Sequence, residues 1–335
     1  MKNKFTVKKW QLTKWRAREE CADLSEIPFV ALGNRVFYKS RVVEEAILPA
    51  NASAVKNEAF ADCKRLKSVV LPRENSVGLS SRVFRGCSRL REIENFEMVS
   101  SVGEGAFDGC ANLPNLVFGR DLRRIGAFAF RGCASMTEVV LPSSINTVGA
   151  GAFSGCTELE RVEMEHGFLA LSKGMFRDCI SLKNVEFSNT LCEIPASMFQ
   201  NCSALESMTI PSQITKIGAS AFRGCARMET VNIELGTVKI GARAFADAPR
   251  LREVYAPHTL KKLGLGAFGF GFVPDDKKIL IYVENEYMKK RLTARLRLCL
   301  SFGRAKVVVI GKSIEERKRE RRRSTLEQKP THLFE

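Results

Sequence analysis

The sequence predicts an α/β solenoid, in which short units of similar structure stack along one axis, and three observations support this fold class. A phrase recurs in which Phe, often preceded by Ala, is followed by Cys three residues later and by Leu or Met after three more. The phrase returns after 24 residues once and after 23 residues at every later step. Each copy ends in an alternation of apolar and polar residues. Such self-similarity is typical of repeat proteins, whose units bury their apolar faces against their neighbours.

Each unit should contain a short strand, a bend and a tight turn. In the unit that starts at Phe130, the apolar residues Val139 and Leu141 recur with a period of two, which predicts a strand with one face inward. Pro142 ends this strand, because proline has no N–H to offer the ladder. Gly149 marks an expected bend, since glycine tolerates φ values that other residues resist. The segment after each Phe is too short for a long helix and predicts a short helix or a 3-10 turn.

The positions shared by the units should form one continuous core. We expect about ten repeats of 23 residues, with terminal caps at the two ends. A degenerate unit precedes the clear copies, since Phe37 and Val43 keep the register while Ser40 stands in the place of Cys. The core positions that we assign are Phe107, Cys110, Phe130, Cys133, Leu141, Phe153, Cys156, Leu159, Phe176, Cys179, Phe199, Cys202, Phe222 and Cys225.

One unit carries a complete consensus, formed by Cys133, Met136, Val139, Leu141, Pro142, Ile145, Val148, Gly149, Ala152 and Phe153. This order resembles the leucine-rich repeats of the BspA-like, or treponemal, type, and the resemblance covers roughly residues 32–268. It implies a right-handed superhelix with a concave parallel β-sheet and with short helical or 3-10 turns on the convex side. Relatives of this type are often surface-exposed adhesion proteins, so a cell-surface adhesin is one candidate function that the resemblance implies.

Four segments are expected along the chain: a basic N-terminal segment or cap (1–23), the leucine-rich repeat solenoid (24–272), a C-terminal cap (273–310) and a basic charged tail (311–335). Within the C-terminal cap the pattern predicts a strand at 278–283, an amphipathic helix at 287–300 and a strand at 306–310. A helix lying on a membrane surface is the alternative interpretation of the basic 287–300 segment.

Charge is concentrated at the two ends of the chain. The formal net charge is +16, of which residues 1–20 carry +5 and residues 275–335 carry +8, so the repeat body contributes only +3. Nucleic acid is therefore a possible partner of the basic ends. The sequence has no run of 18 apolar residues and no apolar segment near its start, which predicts a cytoplasmic protein. A nuclear location or non-classical export stays open.

Eleven cysteines raise the question of redox or metal chemistry, but eight of them occupy one position of the repeat. We expect this column to be small buried side chains in tight turns. No CxxC pair is present, which argues against a zinc site. Disulfides between adjacent units are the alternative, because stacked Cα atoms would lie about 5 Å apart.

Residues that flank the buried position of each strand should point outward and line the concave face. Read down the repeats, these columns are mainly acidic, with apolar residues among the carboxylates. We predict that this face binds a protein partner through Glu92, Glu94, Glu138, Val140, Glu163, Glu186, Glu253 and Tyr255. The turn columns are basic, with Arg85, Arg131, Arg177 and Arg223. The alternative is that both surfaces are simply solvated.

No catalytic constellation is evident, because the three histidines are isolated and no nucleotide-binding, zinc-protease or serine-hydrolase phrase occurs. We expect no cofactor and no metal. The leading hypothesis is a non-catalytic protein-interaction scaffold, expected to be a monomer, that uses its concave face. The alternatives are the surface adhesin and a nucleic-acid-associated protein that acts through its basic termini.

Overall fold

Parallel strands stack along the chain in the computed structural model, which describes residues 5–15, 19–168, 171–269, 277–298 and 303–310. In chain order the strands are β1 (Phe5–Lys8), β2 (Gln11–Trp15), β3 (Cys21–Asp23), β4 (Ala31–Leu32), β5 (Glu45–Ile47), β6 (Ala54–Val55), β7 (Ser68–Val70), β8 (Val77–Leu79), β9 (Glu92–Glu94), β10 (Val99–Val102), β11 (Arg124–Ile125), β12 (Glu138–Leu141), β13 (Thr147–Val148), β14 (Arg161–Met164), β15 (Asn184–Glu186), β16 (Glu193–Ile194), β17 (Ser207–Ile210), β18 (Lys216–Ile217), β19 (Thr230–Ile233), β20 (Lys239–Ile240), β21 (Glu253–Tyr255), β22 (Lys262–Leu263), β23 (Ile279–Val283) and β24 (Ala305–Val309). A 3-10 helix covers Phe96–Met98, and the α-helix α1 covers Glu286–Leu298.

The longer strands form the predicted parallel sheet, which we call ladder A. It consists of the groups β3-β5-β7-β9, β12-β14-β15 and β17-β19-β21-β23-β24. Its register follows the repeat, since Glu138 pairs with Arg161 and Thr230 pairs with Glu253. In β14, Val162 and Met164 are buried, while Arg161 is exposed and Glu163 is half-buried. The alternation of inward and outward residues that the sequence predicts is therefore confirmed.

A second parallel ladder, which the sequence did not predict, runs through the expected bends. This ladder B consists of β1-β2-β4-β6-β8-β10-β11-β13 and β16-β18-β20-β22, and most of its strands have only two residues. Its first strand, β1, is the exception to the parallel order, since it pairs with β2 in antiparallel orientation. The sequence predicts that Gly149, which follows β13, is needed for an unusual φ, but its φ is not positive. A Cβ on this glycine would lie 2.1 Å from the backbone nitrogen of Ala127. Glycine is required there because the neighbouring coil passes so close.

The turns between the ladders have the 3-10 type of hydrogen bonding that the sequence predicts. In one unit, Arg131 N donates to Phe128 O and Cys133 N donates to Phe130 O, at 3.1 and 3.2 Å. These i to i+3 bonds form successive tight turns, with a positive φ at Gly132. Turns of neighbouring units are also joined, because Phe130 N donates to Ala152 O at 2.7 Å.

A column of eleven stacked Phe rings runs through the interior of the solenoid, which has about 12 turns. From Phe37 to Phe268, successive ring centroids are 4.8 to 5.9 Å apart and the ring planes differ by 2° to 18°. All fourteen core positions assigned from the sequence are fully buried. One continuous apolar core therefore joins the units, as expected for a solenoid.

At the N-terminal end, strand pairing continues into the segment that the sequence assigns to a cap. β2 extends ladder B by pairing with β4, and β3 extends ladder A by pairing with β5. The ring of Trp15 lies 5.7 Å from that of Phe37, at the start of the Phe column.

At the C-terminal end, the predicted strand, helix and strand are present as β23, α1 and β24. Asn285 accepts a hydrogen bond from Met288 N at 3.0 Å and so caps the start of α1. Helix α1 buries Met288, Leu292 and Leu296 and contacts β22 and β24. Its apolar stripe is thus used in packing on the solenoid, which removes the basis for the membrane-surface interpretation. None of the described helices is long and apolar enough to cross a membrane. The basic tail, 311–335, lies outside the described residues.

Candidate functional site

The outward side of ladder A, which we call face A, carries the residues that the sequence assigns to partner binding. Its two outward columns are in register, since Glu138 pairs with Arg161 and Val140 pairs with Glu163. Most of the predicted residues are accessible, with Val140 39 % exposed and the side chain of Glu186 60 % exposed. Face A therefore presents carboxylates at the repeat spacing along much of the solenoid.

An apolar spot lies among these carboxylates. Val117 is 73 % exposed and stands one repeat before Val140 in the same column. Glu94 precedes this pair and Glu163 follows it, again at repeat spacing. Two accessible valines framed by acidic side chains can contact a ligand that is partly apolar and partly cationic.

Arg161 organises the acidic residues that follow this spot. Its guanidinium lies 3.2 Å from a carboxylate oxygen of Glu138, 2.9 Å from that of Glu163 and 3.0 Å from that of Glu186. The hydrogen bond with Glu186 is the largest cause of the raised pKa of Arg161. Sequence reasoning assigned no role to Arg161, although its position in the acidic column was visible from the 23-residue spacing. Three of the predicted carboxylates are thus held in place and partly neutralised by one arginine.

Glu92 and Glu94 keep more of their charge than the Arg161 group. Both are exposed, and the one ion pair that either makes among the described residues joins Glu94 to Arg73 at 3.9 Å. Exposed pairs at such distances contribute little to stability. These two carboxylates are therefore the most available anionic groups beside Val117.

Tyr255 departs from the expected exposed position. Its ring stacks on Tyr282 of β23, with centroids 5.0 Å apart, and only 8 % of the residue is exposed. Its hydroxyl donates to Glu253 at 3.0 Å. Tyr255 does point away from the core, as predicted, but Tyr282 of the C-terminal strand β23 covers it. Glu253 and Tyr255 are thus tied to each other and offer little free surface.

The basic turn columns are largely paired with acidic residues. Arg131 lies 2.7 Å from Asp108, Arg223 lies 2.7 Å from Asp247, and Arg177 lies 3.2 Å from Asp178. Hydrogen bonding to Asp108 raises the pKa of the Arg131 guanidinium. The turn side is consequently less cationic than its arginines alone suggest.

The repeated cysteines are buried and donate hydrogen bonds. The Sγ of Cys133 lies 3.4 Å from the carbonyl oxygen of Phe107, and seven other cysteines repeat this contact with the Phe of the unit before. Burial raises the pKa of Cys156 to about 12. All ten cysteines in the described part of the chain are free thiols, so the disulfide alternative is not realised there. No cluster of three His, Cys, Asp or Glu side chains suited to a metal ion occurs in the described ranges.

The two ladders and the Phe column define a solenoid of the leucine-rich repeat class. Within that class the chain belongs to one family, because the family described as "BspA type Leucine rich repeat region (6 copies)" matches residues 30–160, 77–202 and 146–270.

Solved structures show the same fold at low sequence identity. A leucine-rich repeat protein from Bacteroides ovatus is 18 % identical, with a TM-score of 0.55 over 92 % of this chain and 99 % of its own. The pneumococcal vaccine antigen PcpA is 13 % identical, with a TM-score of 0.52 over 92 % of this chain and 98 % of its own. A search among curated proteins gives no match.

Proposed function

We propose that this protein is a non-catalytic interaction scaffold that binds a protein segment on face A. The observation that carries the proposal is the exposed pair Val117 and Val140, which lies between Glu94 and Glu163 at the repeat spacing. Val140 belongs to β12, and Val117 lies in the strand-free segment between β9 and β12. Repeat proteins provide extended binding surfaces of this kind without a catalytic centre. The proposal accounts for the regularity of the core, since a rigid stack holds the face in one geometry.

The chemistry of face A favours a partner that is basic and carries apolar side chains. Carboxylates at the rim attract lysine and arginine and repel phosphate, which makes nucleic acid an unsuitable ligand for this face. The valines supply the area from which water is excluded when an apolar side chain packs on them. Pre-positioning of Glu138, Glu163 and Glu186 by Arg161 lowers the side-chain entropy lost on binding.

A displayed library of random peptides provides the test, with the full chain as the target. We expect the enriched peptides to combine Lys or Arg with apolar residues. One test variant combines Val117→Ser with Val140→Ser, and a second combines Glu92→Gln with Glu94→Gln. Each variant should bind the enriched peptides about tenfold or more weakly in calorimetric titration, because the loss of a contact worth about 1.4 kcal/mol lowers the affinity by that factor.

A matched control combines Glu74→Gln with Glu158→Gln, two exposed carboxylates outside the strands of ladder A. It changes the net charge as much as the acidic test variant does. An equal loss of peptide affinity in this control and in the Glu92→Gln, Glu94→Gln variant would mean that the net charge of the protein, and not face A, accounts for the effect. Unchanged binding in both test variants would exclude face A as the binding surface.

A further inference from the structure

A cationic pocket lies at the C-terminal end of ladder B, separate from face A. It has a volume of about 260 Å³ and is lined by Lys239, Lys262, Leu263, Gly264, Arg295 and Leu298. The two lysines belong to β20 and β22, while Arg295 and Leu298 come from α1. The volume falls just below the roughly 300–1,000 Å³ of small-molecule pockets, which suits a single ionic group better than a large ligand.

The lysines of this pocket stand directly opposite each other. The parallel register pairs Lys216 with Lys239 and Lys239 with Lys262. Like charges in such positions destabilise a sheet. Lys216 is relieved by an ion pair with Glu193 at 2.7 Å. Within the described residues Lys239 and Lys262 have no ion pair, so their mutual repulsion is uncompensated.

Arg295 adds a third cation whose hydrogen bonding is incomplete. Its Nε atom is buried and has no hydrogen-bond partner among the described residues. A buried donor of a charged group costs free energy when it is left unpaired. Leu263 and Leu298 form the apolar part of the pocket wall.

We propose that this pocket binds a tetrahedral oxyanion, a phosphate or sulfate group carried by a larger ligand. Such an anion separates the two opposed lysines and accepts hydrogen bonds from three cationic side chains. Charge-assisted hydrogen bonds of this type are about twice as strong as neutral ones. The pocket is open to solvent, so the rest of the ligand can extend away from the oxyanion. Leu298 is 82 % exposed and can contact an apolar part of that ligand.

Inorganic phosphate and inorganic sulfate are the first probes, titrated into the full chain against sodium chloride of equal ionic strength. We expect saturable binding by calorimetry and a rise of the melting temperature with phosphate or sulfate concentration. Phenyl phosphate and phenyl sulfate then distinguish a phosphate carrier from a sulfate carrier. The double variant of Lys239→Ala and Lys262→Ala should weaken binding by about tenfold or more.

Lys216→Ala is the matched control, because this residue belongs to the same column but does not line the pocket. Both anions also stabilise proteins by general exclusion from the surface, and that part of the response should be the same in the control and the double variant. Arg295→Met roughly keeps the length of the side chain and removes its charge, so this variant too should bind the oxyanion more weakly. Equal affinity in the control and the double variant, or no response beyond that to chloride, would overturn the proposal.

Discussion

At the scale of single residues, the recurring Phe and Cys perform complementary tasks. The Phe ring fills the core, while its carbonyl oxygen accepts hydrogen bonds from two cysteines. Phe107 O, for example, receives Cys110 N at 3.0 Å and Cys133 Sγ at 3.4 Å. A small side chain with a weak donor is what this crowded and buried position requires. Sequence reasoning explained the size of the column but missed the hydrogen bond, because the acceptor belongs to the preceding unit.

The Phe column leads to a direct test of core packing. Phe153→Ala and Leu159→Ala each remove a fully buried side chain. Each should lower the free energy of unfolding by about 2–5 kcal/mol, since the cavity cannot close between stacked units. Ile180→Ala, at a residue that is 48 % exposed, serves as the control and should cost much less. Urea unfolding measures all three, and a core variant with the midpoint of the control would contradict the repeat register.

The Cys column predicts unequal thiol reactivity in the folded chain. Burial raises the pKa of Cys156 and of Cys225 to about 12, so at pH 8 only about one thiol in ten thousand is the reactive thiolate. Cys21 and Cys192 are exposed. Iodoacetamide should modify Cys192 first, then Cys21, whose pKa is raised by partial burial and by Glu45. The column should react only after unfolding.

Peptide mass spectrometry of samples taken over time follows each cysteine separately. Because burial raises the pKa of Cys133, Cys156, Cys179, Cys202 and Cys225, the reactivity of these five thiols should stay low as the pH rises from 8 to 10. Modification of Cys133 or Cys156 in the folded chain at the rate of Cys192 would contradict the buried, hydrogen-bonded arrangement.

At the scale of elements, proline explains an interruption of ladder A. Pro114 precedes the segment 115–117, which forms no strand and separates β9 from β12. In the preceding unit, Arg91 N donates to Lys67 O at the matching position. Pro114 has no N–H and cannot make this bond.

Asn115 replaces the missing backbone contact beside Pro114. Its side-chain oxygen accepts hydrogen bonds from the backbone nitrogens of Thr137 and Glu138 at 2.8 and 3.1 Å. In the next unit the carbonyl of Thr137 receives the corresponding nitrogens of Glu160 and Arg161. The asparagine amide thus acts for a strand carbonyl where the ladder is interrupted.

Asn115→Ala should therefore lower the free energy of unfolding by about 1–2 kcal/mol, because two backbone donors lose their acceptor. Asn184→Ala is the matched control, since Asn184 occupies the same repeat position within β15. It should change stability by less than about 0.5 kcal/mol. Urea titration of both variants provides the measurement, and equal midpoints would exclude this role for the amide.

Sequence reasoning predicted most of the fold and part of the candidate site. The Phe and Cys spacing gave the register, and the alternation around Val139 and Val162 gave ladder A. Ladder B was missed because two-residue strands leave no periodic pattern. The burial of Tyr255 was missed because the residue that covers it, Tyr282, lies beyond the repeats. The clustering of carboxylates around Arg161 depends on side-chain conformations that spacing alone does not encode.

At the scale of the whole molecule, negative and positive charges lie on different parts of the solenoid. Face A is acidic around Val117 and Val140, the turn arginines are mostly paired, and the oxyanion pocket lies at the far end beside α1. A rigid solenoid with two chemically different surfaces can hold a basic protein segment and an anionic group apart. Division of the chain into a solenoid with two caps is consistent with this arrangement, and we retain it as part of the proposal.

Hydrogen exchange of the full chain, with and without an enriched basic peptide, tests the central claim most directly. Residues 115–117 form no ladder pairing, so their amides should exchange quickly in the free protein. Binding on face A predicts that these amides, together with those of β9 and β12, exchange more slowly when the peptide is present. Slower exchange confined to the turns, to ladder B or to the chain ends, with residues 115–117 unchanged, would contradict the account.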